Sequence, residues 1–184
     1  ILREQLNTRY LLIGDDFRFG KGRGGDFALL AAQDDFATER TPSVLIAGER
    51  ASSTAVRHAL QSGSLKTARA ILGHGYTLSG HVKHGQKLGR TIGCPTANIH
   101  LPPHRYPLSG VFVIRATGSF GTRAGVASFG RNYAGSLYGE RLETEFLHKL
   151  RDEAKFDGIG ALQAQIAADI AEAKAWLAEN GGAA

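Results

Sequence analysis

The stretch from Gly85 to Asn98, GQKLGRTIGCPTAN, constrains this chain more than any other. Three glycines, two cations and one proline fall within it, with almost no hydrophobic pattern. Glycine weakens helices and strands alike, and proline removes a ladder donor, so neither a regular helix nor a central strand fits. The chemistry suits a backbone bent around an anion. Gly85, Gly89 and Gly93 let main-chain N–H groups approach closely, and Lys87 and Arg90 add charge. Pro95 biases Cys94 towards extended geometry. If residues 96–98 are also extended, Thr96 and Asn98 point to one face. A hydroxyl and an amide oxygen are hard ligands, suited to Mg²⁺ held mainly by water and phosphate. The bland alternative is a surface turn in which Thr96 and Asn98 bond their own backbone. The stretch is not a Walker A loop, because no G-x-x-x-x-G-K-[ST] occurs.

The run resembles the signature of riboflavin kinases, Gly-Arg-Thr-x-Gly-x-Pro-Thr-Ala-Asn, and matches it from Gly89 to Asn98 with Cys94 at a variable apolar position. The resemblance implies ATP binding by Gly89, Arg90, Gly93, Thr96 and Asn98, with Thr96 and Asn98 at Mg²⁺, and the chemistry of the loop adds Gly85 and Lys87 as ATP-binding candidates. It also implies riboflavin as the phosphoryl acceptor.

A length of 184 residues allows one large domain or two small ones, and 42% apolar content is enough for a core. No apolar run is long enough to span a membrane, and the start shows no signal-peptide pattern. One cysteine excludes an internal disulfide framework, consistent with a cytoplasmic protein. The net charge of +5 and pI near 9.6 would allow nucleic-acid binding. The cations are dispersed, however, and phosphate-bearing small molecules account for them equally well, so nucleic acid is not the expected partner. Self-association is compatible with the sequence. The chain holds no methionine and starts in mid-pattern at Ile1. These features lead to the expectation that segments are missing from this sequence.

Residues 1–9 read as the end of a helix. Tyr10 to Ile13 is a short apolar run closed by Gly14, the pattern of a buried parallel strand. A long loop follows, with Phe17 and Phe19 able to stack on a flat ring and Arg18, Lys21 and Arg23 able to meet phosphates. Such loops at strand C-terminal ends are where open α/β sheets place ligands. Pro42 to Ile46 reads as another strand. The connection before it, residues 33–41, reads as too short, so residues are expected to be missing there. The hydroxyls of Ser52, Ser53 and Thr54, ahead of Val56, Ala59 and Leu60, signal a helix start. With Arg57 they would also suit a phosphate.

Gly-Asp-Asp-Phe-Arg-Phe-Gly from Gly14 and Ser-Ser-Thr-x-x-Arg from Ser52 resemble motifs of the bifunctional prokaryotic FAD synthetases. In that family a Rossmann-like nucleotidyltransferase domain precedes a riboflavin kinase domain. The resemblance implies that Asp16, Phe17, Phe19, Ser53, Thr54 and Arg57 bind ligands of FMN adenylylation. The family's His-x-Gly-His signature is absent from this sequence. A polypeptide starting at Ile1 is therefore expected not to make FAD from FMN.

The implied organisation is the end of an adenylyltransferase domain over 1–60, a linker helix over 61–75 and a kinase domain over 76–184. Leu65 to Leu72 reads as a helix ended by Gly73. Tyr76 to Val82, Val111 to Ile114, Ala124 to Ala127 and Leu142 to Leu150 read as short strands, the pattern of a small antiparallel barrel. The family fold is a six-stranded one. Ile159, Leu162, Ile166, Ile170, Ala173 and Leu177 recur at helical spacing, giving a final amphipathic helix whose apolar face packs on the barrel. Trp176 reads as core or cap. The segment between strand and helix resembles the family's flap beside the isoalloxazine, with Arg151 and Phe156 as flavin-side candidates.

Phosphoryl transfer needs a carboxylate to accept the attacking hydroxyl's proton. In the family it is a glutamate on a strand between a Val-Ala-x-x-Gly turn and a Leu-Tyr-Gly turn. Here only Arg131 to Ser136 separate Gly130 from Leu137, without a glutamate. Glu140, Glu143 and Glu145 do not match that position, so no catalytic residue is assigned. The expectation is a missing segment between Arg131 and Ala134. The alternative function is an inactive flavin- or nucleotide-binding module, regulatory or nucleic-acid-binding.

Overall fold

The computed structural model describes residues 1–83, 97–101, 106–129 and 141–181. The chain forms two compact units, Ile1–Ala51 and Ser52–Ala184. This division lies upstream of the boundary at residue 60 drawn from the sequence.

In the first unit β1 (Tyr10–Gly14) pairs in parallel with β2 (Ala37–Thr41), from Tyr10 opposite Ala37 to Gly14 opposite Thr41. Parallel neighbours need a crossover, and α1 (Phe27–Ala31) lies within it. The Asp26 carboxylate caps α1, accepting the Leu29 N–H at 3.1 Å. Ile13, Leu30 and Phe36 form the core, with Leu2, Leu11, Phe19 and Phe27 packed on it. Tyr10 and Leu12 remain 54% exposed, so β1 is not buried throughout as its apolar run suggests.

Two sequence assignments need correction. The strand expected over Pro42–Ile46 is confined to Leu45–Ile46, and the partner of β1 is β2: Pro42 has no N–H to offer the ladder and follows the end of β2. Leu45–Ile46 (β3) instead forms a short antiparallel hairpin with Glu49–Arg50 (β4). Ala47 and Gly48 make its turn with φ of 50° and 85°, the left-handed pair such hairpins favour. Residues 1–9 form turns and no helix; Asn7, at φ 46°, leaves the helical path.

The second unit starts with α2 (Ser53–Gln61) and α3 (Leu65–Leu72). The Ser52 hydroxyl caps α2, accepting the Ala55 N–H at 3.1 Å. Five strands follow among the described residues: β5 (Tyr76–Lys83), β6 (Asn98–His100), β7 (Gly110–Gly118), β8 (Gly121–Phe129) and β9 (Arg141–Arg151). Their order is β6-β5-β9-β7-β8, all antiparallel.

Strand β9 is irregular against β7. Val113 faces His148 while Ile114 faces Phe146, which leaves Leu147 extra; Val111 faces Arg151 while Phe112 faces Lys149, which leaves Leu150 extra. Bulges bend and twist the strand that carries them. The sheet accordingly curls into an antiparallel half-barrel. Its core joins Leu108, Phe112, Ile114 and Phe146 to Ala59 and Leu60 of α2 and to Leu65 and Ala68 of α3. The expected linker helix thus contributes to the core of this unit.

The last element is α4 (Ile159–Asn180). Ala173 is buried, and Leu162, Ile166, Ile170 and Leu177 are half-buried, as its periodicity predicts. Ile159 departs from the pattern and is 65% exposed.

Candidate functional site

Asn98 opens β6, half-buried, and its ladder partner is Lys83, the last residue of β5. The glycine-rich stretch therefore leaves and rejoins the sheet at one register pair. Gly80 allows this pairing to be close. A Cβ there would stand 2.4 Å from the His100 carbonyl oxygen and 2.6 Å from Ile99 Cγ2. Gly85, Lys87, Gly89, Arg90, Gly93 and Thr96 lie outside the described residues, as do the expected break at Arg131–Ala134 and Glu140.

Glu143 is exposed on β9. Glu145 is held by two cations: its Oε2 accepts Arg115 Nη1 at 2.8 Å, and its Oε1 lies 3.4 Å from Arg69 Nη1. A carboxylate gripped this way ties α3 to the sheet.

In the first unit the loop after β1 is closed on itself. Phe19 and Gly25 exchange both backbone hydrogen bonds, at 3.0 and 2.9 Å. Phe17 and Phe19 stack, ring centroids 5.8 Å apart and planes 22° off parallel. Phe17 is exposed and Phe19 half-buried, so the pair presents one open ring.

Asp15 and Asp16 are tied to the β3–β4 hairpin. Asp15 accepts the Ser43 hydroxyl and Arg50 Nη2, both at 2.6 Å, and Asp16 accepts the same Nη2 at 3.2 Å. The Ser43 hydrogen bond, with help from the Arg50 charge, holds the Asp15 carboxyl below its ordinary range against the opposing effect of desolvation. Arg50 and Ser43 escape a sequence reading, because nothing local marks a pair of residues 28 or 35 positions away.

Ser53, Thr54 and Arg57 all lie exposed on α2. Arg57 Nη1 donates to Ser53 Oγ at 3.2 Å, one turn apart. These residues belong to the second unit, while Asp16, Phe17 and Phe19 belong to the first.

Arg151 and Phe156 do come together, the guanidinium carbon 5.7 Å from the ring centroid. Arg151 also has a partner that the sequence reading missed. Its Nε and Nη2 donate to the two carboxylate oxygens of Asp169 at 2.8 and 2.7 Å. Gln165 Nε2 donates to the same carboxylate at 2.9 Å. Burial pushes the Asp169 carboxyl up, but the hydrogen bonds from Arg151 and Gln165 and the Arg151 charge outweigh it and leave the pKa lowered. A signal for this pair was present: Asp169 falls inside the apolar stripe of α4, three residues after Ile166 and four before Ala173.

His148 and Trp176 stack, centroids 5.2 Å apart and planes 5° off parallel. They line a cleft of about 300 Å³ together with Ser64, Lys66, Leu147 and Asn180. Trp176 thus packs between helix and sheet, as a core or cap residue does. No helix among the described residues is long and apolar enough to cross a membrane.

Comparison with known proteins agrees with this layout. The FAD synthetase family model matches residues 1–55, and the riboflavin kinase family model matches residues 72–177. Bifunctional riboflavin kinase/FMN adenylyltransferases are among the relatives. That of Haemophilus influenzae is 38% identical over 196 aligned residues, covering 96% of this chain and 64% of its own. That of Pseudomonas fluorescens is 38% identical over 200, covering 98% and 64%, and that of Escherichia coli strain K12 is 39% identical over 189, covering 92% and 60%. The chain therefore spans less than two thirds of these relatives. Each alignment is also longer than the chain's own 184 residues, so it places gaps in this chain. The crystal structure of a macrolide-efflux protein from Streptococcus pneumoniae matches with a TM-score of 0.66 at 30% identity, over 85% of this chain and 58% of that one. With a curled antiparallel sheet, a C-terminal helix and a kinase model matched over more than half its length, the chain belongs to the riboflavin kinase family.

Proposed function

We propose that the second unit phosphorylates riboflavin to FMN with ATP, and that in the complete polypeptide the first unit takes part in adenylylating FMN to FAD. The observation that carries this reading is the order of the two family matches, FAD synthetase over 1–55 and riboflavin kinase over 72–177. Relatives bearing both names span most of the chain. On this reading the first unit is the latter part of a Rossmann-like domain, and the half-barrel belongs to a six-stranded barrel. The partners are ATP and flavins, and the compartment is the cytoplasm.

In the kinase reaction, Gly85, Lys87, Gly89, Arg90 and Gly93 cradle the ATP phosphates. The terminal ribityl hydroxyl attacks the γ-phosphorus in line. A new O–P bond forms as the bond to the β,γ-bridging oxygen breaks, and ADP leaves. The hydroxyl proton passes to a carboxylate not assigned in this chain. Catalysis is mostly positioning and neutralisation of charge.

Asn98 and Thr96 fit a Mg²⁺ site. Both offer neutral oxygen donors, and Asn98 is only half-buried at the end of an edge strand, where a phosphate-bound ion can reach it. When bound, Mg²⁺ supplies neutralisation of phosphate charge. Arg151 and Phe156 lie on the flavin side. Asp16, Phe17, Phe19, Ser53, Thr54 and Arg57 bind the ligands of the adenylyl transfer.

The test is FMN formation from riboflavin by the complete polypeptide, followed by chromatography with and without ATP and Mg²⁺. A folded, monodisperse protein that makes no FMN would sink this reading.

A further inference from the structure

We propose that Asp169 is a positioning residue for the flavin side of the kinase site, holding Arg151 and, through it, the connection 152–158 that carries Phe156. The inference rests on the reading of that connection as flavin-facing.

Arg151 ends β9, and Asp169 stands in the interior of α4, 3% exposed. Nε and Nη2 of Arg151 face Oδ1 and Oδ2 of Asp169, fork to fork, at 2.8 and 2.7 Å. Gln165, one turn earlier on α4, steadies the carboxylate with its own hydrogen bond of 2.9 Å. The remaining Nη1 donates to the Asp152 carbonyl at 3.0 Å, at the very start of the connection. The guanidinium carbon stands over the Phe156 ring, 5.7 Å from its centroid. A single side chain therefore ties the sheet, the helix and the irregular segment between them. The bidentate grip fixes the plane of the guanidinium, which a lysine or a single hydrogen bond could not do.

Stability alone does not explain a charge pair here. Both groups lose water, and a well-packed apolar pair commonly holds two elements together as well or better. The apolar face of α4 already supplies such packing through Ile166, Ile170, Ala173 and Leu177. An ion pair inside that face adds orientation: it directs a planar cation towards Asp152 and Phe156. The connection itself has no helix or strand, and its residues 152–155 are exposed. Its placement depends on such ties.

The experiment compares Asp169→Asn, Asp169→Glu and Phe156→Ala in the complete polypeptide. Kinase KM values for riboflavin and for ATP are measured beside flavin affinity, read from quenching of flavin fluorescence, and melting temperature. Asp169→Asn should raise the riboflavin KM and weaken flavin binding about tenfold, a loss of one factor of ten in affinity. The ATP KM should stay within about twofold, and Asp169→Glu should recover part of the loss. Asp169→Asn that lowers only the melting temperature, or raises both KM values alike, overturns the proposal. If Phe156→Ala weakens flavin binding and Asp169→Asn does not, the flavin-side reading stands and the role of Asp169 falls. If Phe156→Ala leaves flavin binding unchanged, the flavin-side reading falls and takes the proposal with it. Should Asp169→Asn fail to fold, Gln165→Ala, which removes one hydrogen bond from the same carboxylate, makes the same comparison.

Discussion

Phe112 and Phe146 meet edge to face in the second unit, ring centroids 5.3 Å apart and planes at 90°. Phe112 is fully buried and Phe146 nearly so. Phe129 approaches Phe146 in the same manner at 6.0 Å, so β7, β8 and β9 share one aromatic cluster. Truncating Phe146 removes area and leaves a cavity that neighbouring strands cannot fill. Phe146→Ala should destabilise the domain by about 3–5 kcal/mol. Urea unfolding of both proteins checks this, and a loss below about 1 kcal/mol would show that the cluster is not the keystone of the sheet.

Gly80 links fold to function. A Cβ at this position would collide with the backbone of β6, at 2.4 Å from the His100 carbonyl oxygen. That oxygen is main chain and cannot swing aside as the end of a flexible side chain would, so the strands must part. Gly80→Ala should destabilise the domain by about 1–3 kcal/mol, as steric conflict in a packed site does. It should also weaken ATP binding more than flavin binding, because β6 begins at Asn98. Isothermal titration with each ligand separates the two effects. Equal weakening of both would point to general loosening.

The Asp169 carboxyl has a lowered pKa in the folded chain. Its unfolded value is the ordinary one, near 3.9. Because the folded form gives up its proton more readily, the ion pair adds stability above the unfolded value. That stability is lost as pH falls through the folded value. The stability difference between the native protein and Asp169→Asn should therefore be fully present above about pH 4 and shrink as the pH falls from there. Urea midpoints measured across that range test the sign. A difference that grows towards acid would show that another group controls the helix.

Much of this architecture can be read from local pattern. Gly73 stops α3 where a left-handed residue was anticipated, and the alternation of Leu142, Thr144 and Phe146 appears as the buried face of β9. The regular alternation fails past Phe146, because the bulges at Leu147 and Leu150 depend on the partner strand and leave no trace in β9's own sequence. β2 was missed for a different reason: Ala37–Thr41 reads ATERT, with little apolar content, and pairs only because β1 lies beside it. In the candidate sites the residue types were legible, and the long-range partners Arg50 and Ser43 were not. Asp169 is intermediate. Its place in an apolar stripe announces a buried charge, but only the fold supplies Arg151.

Asn98 decides between two accounts of the glycine-rich stretch. As a ligand for Mg²⁺–ATP, its amide oxygen is functional and its contribution to the fold small. As part of a structural turn, its side chain would hold the backbone where the stretch rejoins the sheet beside Lys83. The accounts predict opposite outcomes for Asn98→Ala. Under the first, the melting temperature stays within a few degrees, while FMN formation falls by on the order of a hundredfold, as a loss of about 3 kcal/mol at the transition state implies. Binding of Mg²⁺–ATP weakens, and flavin affinity measured without nucleotide is unchanged. Under the second, the melting temperature falls and the rate per folded molecule remains near that of the native protein. Both quantities should come from one sample of the complete polypeptide, so that the unfolded fraction can be subtracted from the rate. A normal rate in Asn98→Ala would remove Asn98 from the metal site and leave Thr96 as the remaining candidate.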